Sequence, residues 1–215
     1  MNSILYRHKI DETCELILCQ FNFSSSVPAP VAGVESVPIV EGEKKNYRDR
    51  ERSAVKEMIS VLLKNDVPVE LNYDENGKPF LVGRKEDVSI SHSRGYVAVL
   101  ISGERVGGID IELMSERIRT IQHRFLHVEE IQYLKPESYL EMLYIIWCAK
   151  ETMYKIYSLG GLDFKTQMKI EPFIYNNSGK IFGTIARKDF QKKYQLLYER
   201  QGDIMLVYGF DDPSS

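Results

Sequence analysis

Cysteine is scarce: the 215 residues hold three, Cys14, Cys19 and Cys148, an odd number with no metal-ligand spacing. That argues against a disulfide frame and a thiolate metal centre, and reduced thiols in a cytoplasmic setting are expected. Long apolar runs are missing as well. None approaches the roughly 20 residues that a membrane-spanning helix needs, and the opening MNSILYRHK meets Arg7 before a signal-peptide core could form. Charge of one sign is also lacking. Lys plus Arg number 28 and Asp plus Glu 31, a net charge of -3 that lacks the basic excess expected of a nucleic-acid binder. Without secretion, Asn22-Phe23-Ser24 and Asn176-Asn177-Ser178 carry no glycosylation meaning. What remains, 43% hydrophobic and 27% charged residues, suits a soluble, core-forming protein of one large domain or two small lobes.

The most informative stretch present is VGGIDIE, Val106 to Glu112. Ile109 and Ile111 alternate with Asp110 and Glu112, and in an extended strand residues two apart share a face. Both acids therefore leave one side together, where they need either a cation between them or ample water. Glu151, in WCAKETMYK, sits on a predicted helix with Lys155 one turn further on. Three carboxylates and a lysine suit a divalent metal holding phosphate oxygens, because Mg2+ takes one or two carboxylates and completes its shell with water and substrate phosphate. The plainer reading makes Glu151 and Lys155 a surface ion pair worth about 0.3 to 0.5 kcal/mol.

Around that stretch the chain reads as strands and two long helices. ILYRHKI and ELILCQFNF form a predicted strand pair across Asp11-Glu12-Thr13, followed by the Pro-rich connector Ser24 to Gly33. A helix is expected from about Tyr47 to Lys64, with Ala54, Val55, Met58, Ile59, Leu62 and Leu63 on one face and Asp66 and Pro68 at its exit. Arg48, Arg50 and Arg52 would crowd its first turns, either as a solvated face or as an anion site. Asn76-Gly77 marks a hairpin. DVSISHSRGYVAVLISG then alternates Val88 and Ile90 with Ser89 and Ser91 before an apolar strand, and His92 between two serines is a candidate phosphate donor. A second helix, about Tyr139 to Ser158, has a capping-box pattern at Ser138 and Glu141 and a stop at Leu159-Gly160-Gly161. MKIEPFIYN, SGKIFGTIARK and YQLLYERQGDIMLVYGF return to strands.

The order of these elements repeats. Helix, strand, Asn-Gly-Lys turn, strand and apolar YVAVLIS in the first half answer helix, strand, Asn-Ser-Gly-Lys turn, strand and apolar IMLVYGF in the second. The fold expected is α+β, with two similar lobes related by a pseudo-twofold, each a small antiparallel sheet packed with helices. Their boundaries are 1–103 and 104–215, with a ligand cleft between them.

SISHS (Ser89 to Ser93), GIDIE (Gly108 to Glu112) and WCAKETMYK (Trp147 to Lys155), in that order, resemble the 4'-phosphopantetheinyl transferases, and the length and duplication resemble the larger, monomeric, two-lobed kind. The resemblance covers roughly Glu43 to Phe164. It implies transfer of the phosphopantetheine arm of coenzyme A to a serine of an apo acyl, peptidyl or polyketide carrier protein, releasing adenosine 3',5'-bisphosphate. It also implies Asp110, Glu112 and Glu151 as Mg2+ ligands, Glu151 as an activator of the incoming serine, and Lys155 on the diphosphate. Asp110 would also help to hold the coenzyme. Ser91, His92 and Arg52 would bind the 3'-phosphate, and Lys78 and Pro79 would lie near the adenine. Departures are Ser89 where asparagine is frequent and Leu126 after Phe125 where a second aromatic is usual. Arg117, Arg119 and Arg124 are a candidate docking surface for an acidic carrier, or a solvated face. The competing class is a noncatalytic coenzyme A or nucleotide-binding module of the same fold.

Overall fold

The computed structural model describes residues 2–21, 41–64 and 69–211, with backbone alone over 41–46. The Pro-rich connector and the Asp66 and Pro68 exit lie outside the described residues. The first sheet holds β1 (Ser3–Lys9), β2 (Cys14–Gln20), β3 (Leu71–Tyr73), β4 (Pro79–Leu81), β5 (Asp87–Ser93) and β6 (Tyr96–Ser102), in the order β1-β2-β6-β5-β4-β3. The second holds β7 (Gly107–Leu113), β8 (Met168–Ile170), β9 (Ser178–Arg187), β10 (Phe190–Gln201) and β11 (Ile204–Phe210), in the order β7-β11-β10-β9-β8. Every pairing is antiparallel. Remove β1, and β2-β6-β5-β4-β3 has the same order as β7-β11-β10-β9-β8, so the α+β duplication expected from the sequence is present in the topology.

Alternation along the central strands explains how the layers stack. Ile17 and Cys19 of β2, with Val97 and Val99 of β6, pack on Ala54, Val55, Met58 and Ile59 of helix α1 (Glu41–Leu63). Their neighbours Leu16, Leu18, Ala98 and Leu100 face the other way, against Ile109, Ile111, Leu206 and Tyr208 of the second sheet. The opposite face of that sheet, Met205 and Val207 among others, packs with Ile145, Ile146, Ala149, Met153 and Ile156 of helix α4 (Tyr139–Tyr157). Two helices thus enclose two sheets: each helix buries one period-3.6 apolar stripe, and each sheet buries a period-two stripe on both of its faces. Between β7 and α4 lie the short helices α2 (Ile118–Ile121) and α3 (Val128–Ile131).

Gly108 lets α4 settle directly on β7. A Cβ there would lie 2.5 Å from the Thr152 carbonyl oxygen and 2.8 Å from Ile156, so any side chain would force strand and helix apart. The other contact of β7 is unusual. As an edge strand it presents unpaired amides, which natural sheets must cover or pair. Here the amides of Gly107, Ile109, Ile111 and Leu113 donate to the side chains of Asp87, Ser89, Ser91 and Ser93 at 2.8, 3.0, 3.2 and 3.1 Å. Side-chain oxygens of one face of β5 replace the missing ladder and seam the two sheets together.

Local details correct the sequence reading in four places. Helix α1 begins at Glu41, so Arg48, Arg50 and Arg52 lie beyond the first turn, away from its free amides. Ser138 makes no side-chain cap, and Glu141 instead accepts from Arg200 at 3.0 Å, because a cross-layer guanidinium outbids a local amide. A capping box occurs at His127 and Glu130, where the imidazole replaces the usual hydroxyl. YQLLYERQGDIMLVYGF breaks at Gly202 (φ 61°) into the β10–β11 hairpin. The stop of α4 falls as expected, with Ser158 left-handed (φ 56°) and Gly160 and Gly161 following at positive φ. Cys14, Cys19 and Cys148 are free and buried. Among the described residues no helix is long and apolar enough to cross a membrane.

Candidate functional site

Asp110 and Glu112 point from β7 to the side on which Gly108 receives α4, as the strand period requires. Asp110 is only 5% exposed. Its Oδ1 accepts from Ser91 Oγ at 2.7 Å and from Lys155 Nζ at 2.8 Å, while Lys155 also donates to the Ile109 carbonyl at 2.8 Å. Its Oδ2 is buried without a hydrogen-bond partner among the described residues. The closely packed Cys148 thiol is a weak donor at best, pushed well above its usual pKa by burial first and by Asp110 and Glu112 after it. Glu112 Oε2 accepts from Ser93 Oγ at 2.7 Å and its Oε1 from Trp147 Nε1 at 3.3 Å.

Glu151 completes an acidic cluster. Burial pushes its pKa up to about 7, and the charges of Asp110 and Glu112 add to the rise, while Lys155 opposes it. Burial also raises Glu112, against the Ser93 hydrogen bond, with the charge of Asp110 contributing. Glu151 therefore feels both other acids and Glu112 feels Asp110, and Lys155 pairs with Asp110 instead of Glu151, which removes the surface-pair reading. A tertiary carboxylate with a buried, unpartnered oxygen wins over the i, i+4 neighbour.

An all-oxygen set of carboxylates with one buried lone oxygen fits a hard cation such as Mg2+. The fit is one of chemistry and charge. Among the described residues no three His, Cys, Asp or Glu side chains are already gathered as a metal-holding group. In this conformation Lys155 occupies Asp110, while Ser93 and Trp147 hold Glu112.

A cavity of about 220 Å³ opens beside these residues, lined from both lobes by Tyr73, Lys78, Pro79, His92, Tyr154 and Lys155, among others. The Asn76-Gly77 hairpin carries Lys78 and Pro79 to its rim, with Gly77 at φ 80° and Asp74 Oδ1 accepting from the amides of Asn76 and Lys78 at 2.9 and 2.8 Å. Lys78 Nζ pairs with Asp87 at 2.7 Å, and so is tied to the start of the seam. His92 is exposed, with Nδ1 3.5 Å from Glu51 of α1. Arg52 is exposed on α1 and is not among the residues lining this cavity. Ser91 is 6% exposed and its hydroxyl is engaged within the seam. The structure therefore brings Lys78, Pro79, His92 and Lys155 to one cavity and sets Asp110, Glu112, Ser91 and Glu151 beside it.

Sequence reasoning missed Lys150. Its side chain is wholly buried, as is that of Glu130, with Nζ donating to Glu130 Oε2 at 2.8 Å and to the carbonyls of Phe125 and Phe164 at 2.7 and 3.0 Å. The available signal was its place among Ile146, Ala149 and Met153, where a lysine needs a buried partner.

The raised Glu151 has a consequence for stability. A carboxyl whose folded pKa lies near 7, against an ordinary 4.5, is neutral in both states at low pH but ionises earlier in the unfolded chain. Wild-type stability should then fall as pH rises from about 4.5 to 7, by up to about 3 kcal/mol. Glu151→Gln cannot ionise. In chelator-treated protein its urea midpoint is expected to match wild type near pH 4 and exceed it at pH 8. Parallel curves at both pH values would contradict this.

The architecture and the site define a class of protein: a duplicated α+β fold with clustered carboxylates and a lysine beside an interlobe cavity. Residues 107–205 match the family model of the 4'-phosphopantetheinyl transferase superfamily. Over 97 residues, 42% of this chain and 41% of the relative, the chain is 28% identical to a protein of Haemophilus influenzae (strain ATCC 51907 / DSM 11121 / KW20 / Rd) provisionally named a 4'-phosphopantetheinyl transferase. The match thus spans about two fifths of that relative's length. The superfamily resemblance noted in the sequence is supported over the segment that holds GIDIE and WCAKETMYK. SISHS, Arg52, Lys78 and Pro79 lie outside it.

Proposed function

We propose that this protein is a 4'-phosphopantetheinyl transferase that uses Mg2+ to move the phosphopantetheine arm of coenzyme A to a serine hydroxyl of an apo carrier protein, releasing adenosine 3',5'-bisphosphate. The observation that carries the reading is the meeting of Asp110, Glu112, Glu151 and Lys155 beside one interlobe cavity, within the segment matched by the superfamily.

Asp110, Glu112 and Glu151 would hold the Mg2+, which when bound supplies charge neutralisation on the diphosphate and a fixed line between attacking and leaving oxygens. Lys155, at the cavity wall, offers its ammonium to the diphosphate. Lys78 and Pro79 border the adenine end, and His92 and Arg52, both exposed, serve the 3'-phosphate, while the buried Ser91 hydroxyl stays spent on Asp110 and the Ile111 amide. Glu151, held beside that cation, would also activate the incoming serine by accepting its proton. The protein would act as a cytoplasmic monomer, with the acidic carrier approaching over Arg117, Arg119 and Arg124. All three arginines are exposed.

Incubation with coenzyme A, Mg2+ and a panel of apo acyl, peptidyl and polyketide carriers, followed by intact-mass measurement, tests this. A gain of one phosphopantetheine arm on at least one carrier is expected. Coenzyme A binding without mass gain on any carrier would instead favour a noncatalytic module of the same fold.

A further inference from the structure

Resting on that reading, we propose that Ser93 is a positioning residue that presents the Glu112 carboxylate to the divalent cation. Its hydroxyl is committed in both directions. It accepts from the Leu113 amide at 3.1 Å, so its single proton is free for the carboxylate, and Glu112 Oε2 receives it at 2.7 Å. Glu112 and Leu113 are adjacent, so one hydroxyl grips a side chain and the next backbone amide at once and fixes the carboxylate relative to its own strand. The Trp147 indole holds Oε1 from α4 at 3.3 Å. Glu112 therefore hangs between β5 of the first lobe and α4 of the second, and both side chains that orient it come from other elements.

The neighbouring rungs separate this role from the seam itself. Ser91 repeats the grip on Asp110 and the Ile111 amide, but Asp110 also carries Lys155, so a cation entering there competes with an ammonium. Ser89 makes the seam bond, accepting from Ile109 at 3.0 Å, and among the described residues no hydrogen bond joins its hydroxyl to an acid. Ser93 is 8% exposed, which keeps water from replacing it without rearrangement. Outer partners of this kind set how ready a carboxylate is to ligate.

The test uses Mn2+ alone, titrated into chelator-treated full-length protein without coenzyme A and followed by electron paramagnetic resonance of the free ion. Ser93→Ala is expected to weaken Mn2+ affinity about tenfold. Ser93→Thr, which keeps the hydroxyl, should recover most of it. Ser89→Ala should lower the urea midpoint as Ser93→Ala does, yet bind Mn2+ like wild type. Equal Mn2+ affinity in Ser93→Ala and wild type would overturn the proposal and leave the metal reading standing, and so would equal weakening in both alanine variants. A wild-type protein with no saturable Mn2+ binding would overturn the metal reading itself.

Discussion

Replacing Asp110 with asparagine is expected to lower carrier loading by about a thousandfold or more while the protein stays folded. The substitution keeps an oxygen for Ser91 and Lys155, both of which donate to Oδ1, and changes the unpartnered Oδ2. What it removes is charge. A neutral amide is a poor ligand for Mg2+ and lets Lys155 swing free of its anion, so the cation and the ammonium lose their common anchor. The fold should tolerate this, since repulsion toward Glu112 and Glu151 falls as the pairing with Lys155 weakens. A second readout follows from Glu151, whose pKa is raised first by burial and next by Asp110. In Asp110→Asn the pH window over which stability declines should narrow from its upper end without vanishing. Loading within tenfold of wild type, measured by carrier mass over time, would remove Asp110 from the reaction.

Much of that site was legible because it is encoded at short range. The period-two alternation of GIDIE places two acids on one face whatever surrounds them, and the Leu159-Gly160-Gly161 stop ends α4 where expected, just past the left-handed Ser158. The duplication was legible as the echo of helix, strand, turn and strand, since each half had to bury the same stripes, while the strand order within each sheet came only with the topology. The partners of the charges were not. Lys155 lies four residues from Glu151, yet its bond goes to Asp110, 45 residues away, because the buried carboxylate had more to gain. Ser89 and Ser91 were visible as hydroxyls alternating with Val88 and Ile90, but the phosphate-donor reading fell on His92 and, through the family resemblance, on Ser91. The serine seam with β7 needed the knowledge that β7 is an edge strand, a fact of topology that no local pattern carries.

Truncating Lys150 to methionine should cost about 3 to 5 kcal/mol of folding stability, the largest such effect among the substitutions considered. The ammonium spends all three protons, on Glu130 Oε2 and on the carbonyls of Phe125 and Phe164. Glu130 in turn accepts from the His127 amide at Oε2 and from the Ile170 amide at Oε1, both at 2.7 Å. One buried pair thus joins the loop before α3, α3 itself, α4 and β8. The pair does not simply add stability: burial lowers the lysine pKa despite the carboxylate beside it, so desolvation is the larger effect. Breaking it is nonetheless severe, because Lys150→Met leaves a buried carboxylate without its cation and two carbonyls without donors. Glu130→Gln should also destabilise, by stranding the ammonium. The double substitution removes both charges, so its loss in urea denaturation is expected to be smaller than the sum of the single losses. Strict additivity would show that the two side chains act separately. Since Glu151 follows Lys150 on α4, about 100° around the helix axis, the buried lysine also fixes which way Glu151 faces. The single variants should therefore lose Mn2+ affinity even at temperatures where they remain folded.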